Sequence, residues 1–248
     1  MIGIIIQARL GSTRLPHKMT KPFFGNKGIF ELLTEKIQSK YSNLKIVVAT
    51  TTNPLDDEIV SLCNKMKTDC YRGSENNVLE RFKEAANKYN ITKIVRVCAD
   101  NPFLNLNALD ELINFSLKSQ ADYISFKTRK ETPTILTHYG FWAEIVKTEA
   151  LIKVLKLTND AKYLEHVTNY VYTHPHIFNI ELHLIPQKVE ENSDIRMTLD
   201  TQEDFDLLKE IYGNISNLEL SIEDLIDYLN KNESWKTKMK FQILQNNK

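Results

Sequence analysis

Four basic side chains crowd a short stretch near the start of the chain. The segment Gln7-Ala8-Arg9-Leu10-Gly11-Ser12-Thr13-Arg14-Leu15-Pro16-His17-Lys18-Met19-Thr20-Lys21 holds Arg9, Arg14, Lys18 and Lys21 and no acidic residue. Arginine offers a planar fork of donors that matches phosphate oxygens, and lysine adds a compact charge. Gly11 lets the backbone approach a ligand closely. A polyphosphate is the natural partner of such a loop. The plain alternative is a solvated surface loop whose bases pair with nearby acids. Two well-known phosphate-binding patterns are missing: GxxxxGK[ST] of the P-loop, and GxGxxG after the first strand of a dinucleotide-binding domain.

Two aspartates directly follow apolar runs. Asp100 ends Val97-Cys98-Ala99, and Asp200 ends Met197-Thr198-Leu199. Carboxylates at strand ends can converge on one hard cation. Magnesium takes one or two carboxylates and completes its shell with phosphate oxygens and water. Each aspartate also has a local role open to it: Asp100 can start a turn before Asn101-Pro102, and Asp200 can sit at the positive end of the helix that Thr201 caps.

The elements that must position these residues follow from hydrophobic periodicity. Ile2 to Ala8 is an almost continuous apolar run, as expected of a strand buried on both faces of a parallel sheet. Leu44–Thr50, Asp69–Arg72, Lys93–Ala99 and Asp122–Phe126 read as four more strands. Between them, Ile29–Ser39, a segment starting at Asn53-Pro54, Asn77–Tyr89 and Leu106–Lys118 have helical spacing. Strand alternating with helix implies right-handed βαβ units, a mostly parallel sheet flanked by helices, and ligands beyond the carboxyl ends of the strands. In the second half, Tyr139–Ile145 reads as a strand, Glu149–Leu157 and Ala161–Thr173 as helices, Ile177–Ile185 as an antiparallel strand and Ile195–Leu199 as another strand. Thr201 with Asp204, and Ser221 with Asp224, mark helix starts. The expected organisation is one domain over residues 1–232, less regular over about 127–194, with a fraying polar tail over 233–248.

Bulk properties narrow the class. The chain has 248 residues, 42% hydrophobic and 26% charged, with formal net charge zero. A zero balance argues against non-specific nucleic-acid binding, which needs a broad positive field. Three cysteines, none in CxxC spacing, suggest neither a disulfide framework nor a structural zinc site; Cys98 reads as a small buried strand residue. No segment reaches membrane-span length, and the N-terminus has no basic region or cleavage site of a signal peptide. The expectation is a cytoplasmic protein without a membrane partner.

At this point the motifs carry a family likeness. Ala8-Arg9-Leu10-Gly11-Ser12-Thr13-Arg14-Leu15-Pro16-His17-Lys18 resembles the ARxxSxRLPxK signature of cytidylyltransferases that activate acidic sugars such as 3-deoxy-manno-octulosonate or sialic acid. The nearest branch is the spore-coat polysaccharide (SpsF-like) group. Tyr71 to Phe82 resembles its RGSEDDVLDRF-type segment, Ala99 to Leu104 its GDCPLID-type segment, Glu165-His166-Val167-Thr168 an EHVT segment, and Arg196 to Phe205 the run RLTVDTPEDF. The resemblance implies a nucleotide-diphospho-sugar transferase (GT-A-like) fold, CTP as donor, magnesium as cofactor and a homodimer. It implies that Ala8, Arg9, Gly11, Ser12, Arg14 and Lys18, with Arg72 and Ser74, meet the nucleotide, and that Asp100 and Asp200 hold the metal. Glu144, Glu165 and His166 are candidates for the acceptor side. His166 within a helical pattern can equally be a buried, hydrogen-bonded histidine, and Arg81 can be a nucleotide contact or a solvated surface residue. Asn76, Asn77, Asn101, Asn105 and Gln202 depart from the family pattern; the asparagines remove negative charge near the expected pocket and leave the acceptor open.

The expected activity is transfer of CMP from CTP to an acidic sugar or phosphorylated small molecule, with release of pyrophosphate, for surface glycan synthesis. A glycosyltransferase of similar fold is the alternative; Asp100-Asn101-Pro102 lacks the second acid of its usual DxD pair. A non-catalytic nucleotide sensor is a third possibility.

Overall fold

The computed structural model describes residues 1–215 and 220–246. Its strands are β1 (Ile2–Gln7), β2 (Lys45–Thr51), β3 (Asp69–Gly73), β4 (Lys93–Cys98), β5 (Tyr123–Lys127), β6 (Glu144–Lys147) and β7 (Ile180–Leu184). They form a mixed sheet in the order β3-β2-β1-β4-β6-β5-β7. β6 runs antiparallel to both neighbours and the other pairings are parallel. The helices are α1 (Ile29–Lys40), α2 (Asp57–Lys65), α3 (Val78–Lys88), α4 (Leu106–Lys118), α5 (Thr148–Leu157), α6 (Ala161–Glu165), α7 (Asn169–Thr173), α8 (Gln187–Glu190), α9 (Gln202–Asn214), α10 (Ile222–Asn230) and α11 (Glu233–Gln245).

The isoleucine run of β1 divides between two cores. Ile4 and Ile6 face a core built with α1, α4, α9 and α10, while Ile5 faces one built with α3, α5 and α7. Both faces are dry, which is why the strand shows no polar alternation. β2 and β4 lie on opposite sides of β1, so the order of connection reverses there. In open α/β sheets the crevice beyond such a reversal is where ligands bind. The loop after β1 and Asp100 after β4 both emerge at that point.

That first loop lacks any ladder over residues 8–28, yet it is tightly held. Leu10, Leu15 and Met19 are buried between polar neighbours, so the chain is nailed down by apolar side chains while Arg9, Ser12, Arg14 and Lys18 line a cavity on the other side. Asp56, itself 1% exposed, accepts the Leu10 N–H at 2.8 Å and the Thr51 N–H at 3.1 Å. One buried carboxylate thus joins the loop to the end of β2.

Several elements differ from the sequence reading, each for a physical reason. Only Glu144–Lys147 of the stretch from Tyr139 is a strand, because Gly140 takes a left-handed φ of 68° and breaks the extended path. Ile195–Leu199 joins no ladder. Its burial comes from being wedged in the core, and Met197 N–H reaches the His138 carbonyl at 2.8 Å. β7 is parallel to β5, not antiparallel; alternation reports a half-buried strand and carries no direction. The helix read over Ala161–Thr173 is two, parted at His166, whose φ of −98° and ψ of 81° leave the helical region. Asn53 caps a short 3-10 turn, Pro54–Asp56, before α2 starts. The end of the chain, read as a fraying tail, forms α11, with Trp235, Met239 and Gln242 buried; residues 247–248 lie outside the described residues.

Gly140 tests how closely two of these segments must approach. A Cβ there would stand 2.7 Å from the Met197 carbonyl oxygen, a backbone atom that cannot swing aside. Gly140→Ala is expected to cost about 2 kcal/mol or more, from the left-handed conformation and the clash. Urea unfolding measures it, and a loss below about 0.5 kcal/mol would show that the 138–141 and 195–200 segments are loosely joined.

Candidate functional site

One face of the sheet turns polar at its carboxyl end. Ile5 is followed on that face by Gln7, Ile94 by Arg96 and Cys98, and Val146 by Glu144 in the opposite direction along β6. Arg96 and Glu144 are directly opposed across the antiparallel β4–β6 pair, so their side chains meet. The Arg96 guanidinium donates to Glu144 Oε1. Its Nε and Nη2 donate to Gln7 Oε1 at 3.3 and 3.0 Å. Glu144 accepts two further hydrogen bonds, from the Tyr123 hydroxyl at 2.5 Å and from Thr168 Oγ1 at 2.8 Å. Burial, followed by the nearby Glu144 charge, pushes the Tyr172 phenol up to about 12.

Two cavities open above this floor, of about 380 and 520 Å³, within the range of about 300–1,000 Å³ typical of small-ligand sites. The first is lined by Arg9, Ser12, Thr13, Arg14 and Lys18 from the first loop, with Glu165 on its rim. The second is lined by Thr134 to Thr137, Trp142, Lys162, Thr168, Tyr172 and Thr198. Gln7, Arg96, Cys98, Asp100, His166 and Asp200 line both and form the seam between them.

The two aspartates are held by the basic loop itself. Lys18, 7% exposed, donates from Nζ to Asp100 Oδ2 at 2.9 Å and to the Leu199 carbonyl at 2.7 Å. Arg14 Nη2 donates to Asp200 Oδ1 at 2.8 Å. Asp200 Oδ2 accepts from Arg196 Nη2 at 3.0 Å. Arg196 is buried and grips Asp204 through Nε and Nη2, both at 2.7 Å, and its Nη1 donates to His138 Nδ1 at 2.6 Å. Burial alone would raise the Asp204 carboxyl, but the Arg196 hydrogen bonds and charge, with the Asp200 and Thr201 N–H groups, hold it below the usual carboxylate range. The capping box of α9 therefore fixes Asp200 as well as the helix start.

These donors suit the metal that the resemblance implies. Asp100 Oδ2 and the Leu199 carbonyl already cradle one cation, the Lys18 ammonium, and the set is all oxygen, as a hard cation requires. Among the described residues no group of three or more His, Cys, Asp or Glu side chains could hold a metal ion. A metal here would rest on the two aspartates, with phosphate and water completing its shell.

The other residues singled out from the sequence fall in several places. Arg9 lies on the first cavity with Nη2 3.8 Å from Glu165. His166 is exposed at the seam, not buried in a helix. Lys21 turns away toward Gln202 at 2.7 Å. Ala8 and Gly11 lie beneath or beside the loop without lining either cavity. Arg72 braces the β2 end through the Thr51 and Asn53 carbonyls, both at 2.9 Å, and Ser74 accepts the Asn77 N–H at 3.0 Å; neither lines a cavity. Glu144 is sealed beneath the floor at 2% exposure and cannot touch an acceptor directly. Arg81 is a buried residue, not a surface one: its Nη1 donates to the Ser74 carbonyl at 2.6 Å, and burial, then the neighbouring Arg9 charge, lowers it to about 10. Cys98 is half-buried and reaches both cavities. Gln7 and Arg96 were not singled out from the sequence. Their signal was there: a polar residue ending β1, and an arginine inside the apolar run Ile-Val-Arg-Val, where a buried charge is the informative exception.

The cytidylyltransferase family model matches residues 3–240. An uncharacterized protein of Methanocaldococcus jannaschii is 36% identical over 94% of this chain and 91% of its own. The spore coat polysaccharide biosynthesis protein SpsF of Bacillus subtilis is 30% identical over 93% of this chain and 95% of its own. The solved structure of a cytidylyltransferase from Leptospira borgpetersenii superposes with a TM-score of 0.83 at 30% identity, covering 94% of this chain and 95% of that one. A CMP:2-keto-3-deoxy-manno-octonic acid synthetase solved in complex with CTP shares the fold, with a TM-score of 0.60 at 12% identity over 86% and 98% of the two chains.

Removing the charge from Glu144 leaves the Arg96 guanidinium buried without its counter-ion. Glu144→Gln is expected to cost about 3 kcal/mol, and Tyr123→Phe, which removes one hydrogen bond to the same carboxylate, about 1 kcal/mol. Denaturant unfolding of both variants checks the order, and equal losses would mean that the charge pair contributes no more than a neutral hydrogen bond.

Proposed function

The chain belongs to the cytidylyltransferase family, and from that membership we propose that it transfers CMP from CTP to an acidic sugar or a phosphorylated small molecule, releasing pyrophosphate, in the synthesis of surface polysaccharide. The observation that carries this reading is the pair of cavities with a common seam. The first has the basic loop for a triphosphate, and the second has room, hydroxyl groups, Lys162 and His166 for an acceptor.

The residues divide the work. Arg9, Arg14 and Lys18 bind and orient the phosphates and steady the charge that gathers on the leaving pyrophosphate. The acceptor oxygen forms its bond to the α-phosphorus as the bond to the bridging oxygen breaks, and pyrophosphate leaves with that electron pair. A hydroxyl acceptor gives its proton to water. No side-chain nucleophile is needed, since positioning and preorganised charge supply the catalysis. Asp100 and Asp200 are the residues that would hold magnesium, which when bound neutralises phosphate charge and helps align the in-line attack. Arg14 holds the Asp200 carboxylate at the edge of the first cavity and Lys18 holds that of Asp100, so the phosphates would meet cations whose positions are already fixed. Glu165 restrains Arg9 at the cavity rim, and Arg196 keeps Asp200 aimed at the seam. No helix among the described residues is long and apolar enough to cross a membrane.

The test is pyrophosphate release in the presence of CTP, magnesium chloride and a panel of acceptors including 3-deoxy-manno-octulosonate, N-acetylneuraminate and sugar phosphates. Asp100→Asn is expected to lower turnover about 100-fold or more. Unchanged turnover in that variant, with magnesium still required, would overturn the metal role, and release with a nucleotide sugar in place of CTP would overturn the reaction class.

A further inference from the structure

Of the six residues on the seam, Arg96 is the cation fixed in place by the fold. His166 is exposed and its ring makes no hydrogen bond or ion pair with the described residues. Arg96, by contrast, is 8% exposed and is clamped from two sides. Gln7 Oε1 takes its Nε and Nη2, and Glu144 Oε1 takes its Nη1. A guanidinium carries five N–H donors. These three bonds use one on each nitrogen, which leaves one N–H on Nη1 and one on Nη2 for a ligand. The residue lines both cavities, at the place where a donor phosphate in one and an acceptor in the other must meet. Arg14 and Lys18, which the basic loop supplies, line only the first cavity and so stand on the pyrophosphate side.

We propose that Arg96 is a catalytic residue that contacts the transferred α-phosphate, held ready by Gln7 and Glu144, while the basic loop serves the β- and γ-phosphates. Its preorganisation explains why a full ion pair is buried under the site. A fork locked in place before the substrate arrives spends nothing on reorganisation when charge develops at the α-phosphorus. The Glu144 carboxylate holds the fork still while lying out of reach of both cavities, so it neutralises the arginine without competing for its free donors.

This inference rests on the reading of the first cavity as the nucleotide site, and the experiment separates the two. CMP, pyrophosphate and CTP are titrated calorimetrically, with magnesium chloride, into the wild-type chain and into Arg96→Met, Arg96→Lys and Arg14→Met. CMP carries only the α-phosphate, and pyrophosphate carries only the leaving group. Arg96→Met should weaken CMP about tenfold or more and leave pyrophosphate within about twofold. Arg14→Met should do the reverse. Arg96→Lys keeps a cation opposite Glu144, so it guards against a folding defect in the methionine variant; it should retain the thermal unfolding temperature more nearly and still bind CMP several-fold more weakly, because an ammonium cannot fill the fork. Wild-type protein that binds no nucleotide overturns the nucleotide-site reading, and this inference with it. Wild-type protein that binds CTP, with folded Arg96 variants that bind CMP as well as it does, or that lose CMP and pyrophosphate equally, overturns the inference alone.

Discussion

A buried lysine ammonium joins the three segments that make the site. Lys18 Nζ lies between the Asp100 carboxylate and the Leu199 carbonyl, groups 82 and 181 residues away along the chain. An ammonium taken out of water is costly unless oxygens replace its hydration shell, so the first loop is stable only where those two oxygens converge. In return, the ends of β4 and of the Ile195–Leu199 segment are brought together without a ladder between them. The Lys18 ammonium occupies the seat that those two oxygens form.

Around this junction the fold uses buried ion pairs as fixtures. Arg196 with Asp204 sets the carboxylate of Asp200, and Arg96 with Glu144 sets the floor. Such pairs are weak contributors to net stability, since desolvation offsets much of the attraction. Their value here is geometric. The bidentate Arg196–Asp204 contact fixes direction as well as distance, and Arg96 is fixed by Gln7 on one side and Glu144 on the other. The exposed pairs, such as Lys27 with Glu35, have no such role and little energy.

The glycine at 140 and the break at His166 show how irregular backbone serves the same end. Gly140 allows two non-ladder segments to pass within a Cβ's width of each other. The turn after α6 brings Glu165 to the first cavity and His166 to the seam, while Thr168 anchors it on Glu144. A continuous helix would have spread these side chains around its surface at 100° steps and could not have set the Thr168 anchor beneath the displayed His166 in this way.

The first five strands, the four helices between them and the helix starts at Thr201 and Ser221 were legible in the residues, because periodicity and capping depend on neighbours within a few positions. So were the basic loop and the two aspartates that follow apolar runs, because residue type and apolar runs are local properties, although only Asp100 follows a strand. The second half was harder to read: apolar runs such as Ile195–Leu199 look alike whether a ladder or a wedge buries them, and Ile180–Leu184 carries no mark of direction. Only the tertiary structure decided that Glu144 lies under the site, that Arg81 is buried and that Lys21 turns away. It alone set Arg96 on the seam, because that placement depends on the β4–β6 register and on a chain reversal at β1. The sequence by itself determined which chemistries were present; which charged side chains met, over separations of up to 186 residues, was decided by packing, since charge partners far apart along the chain leave no trace in local pattern.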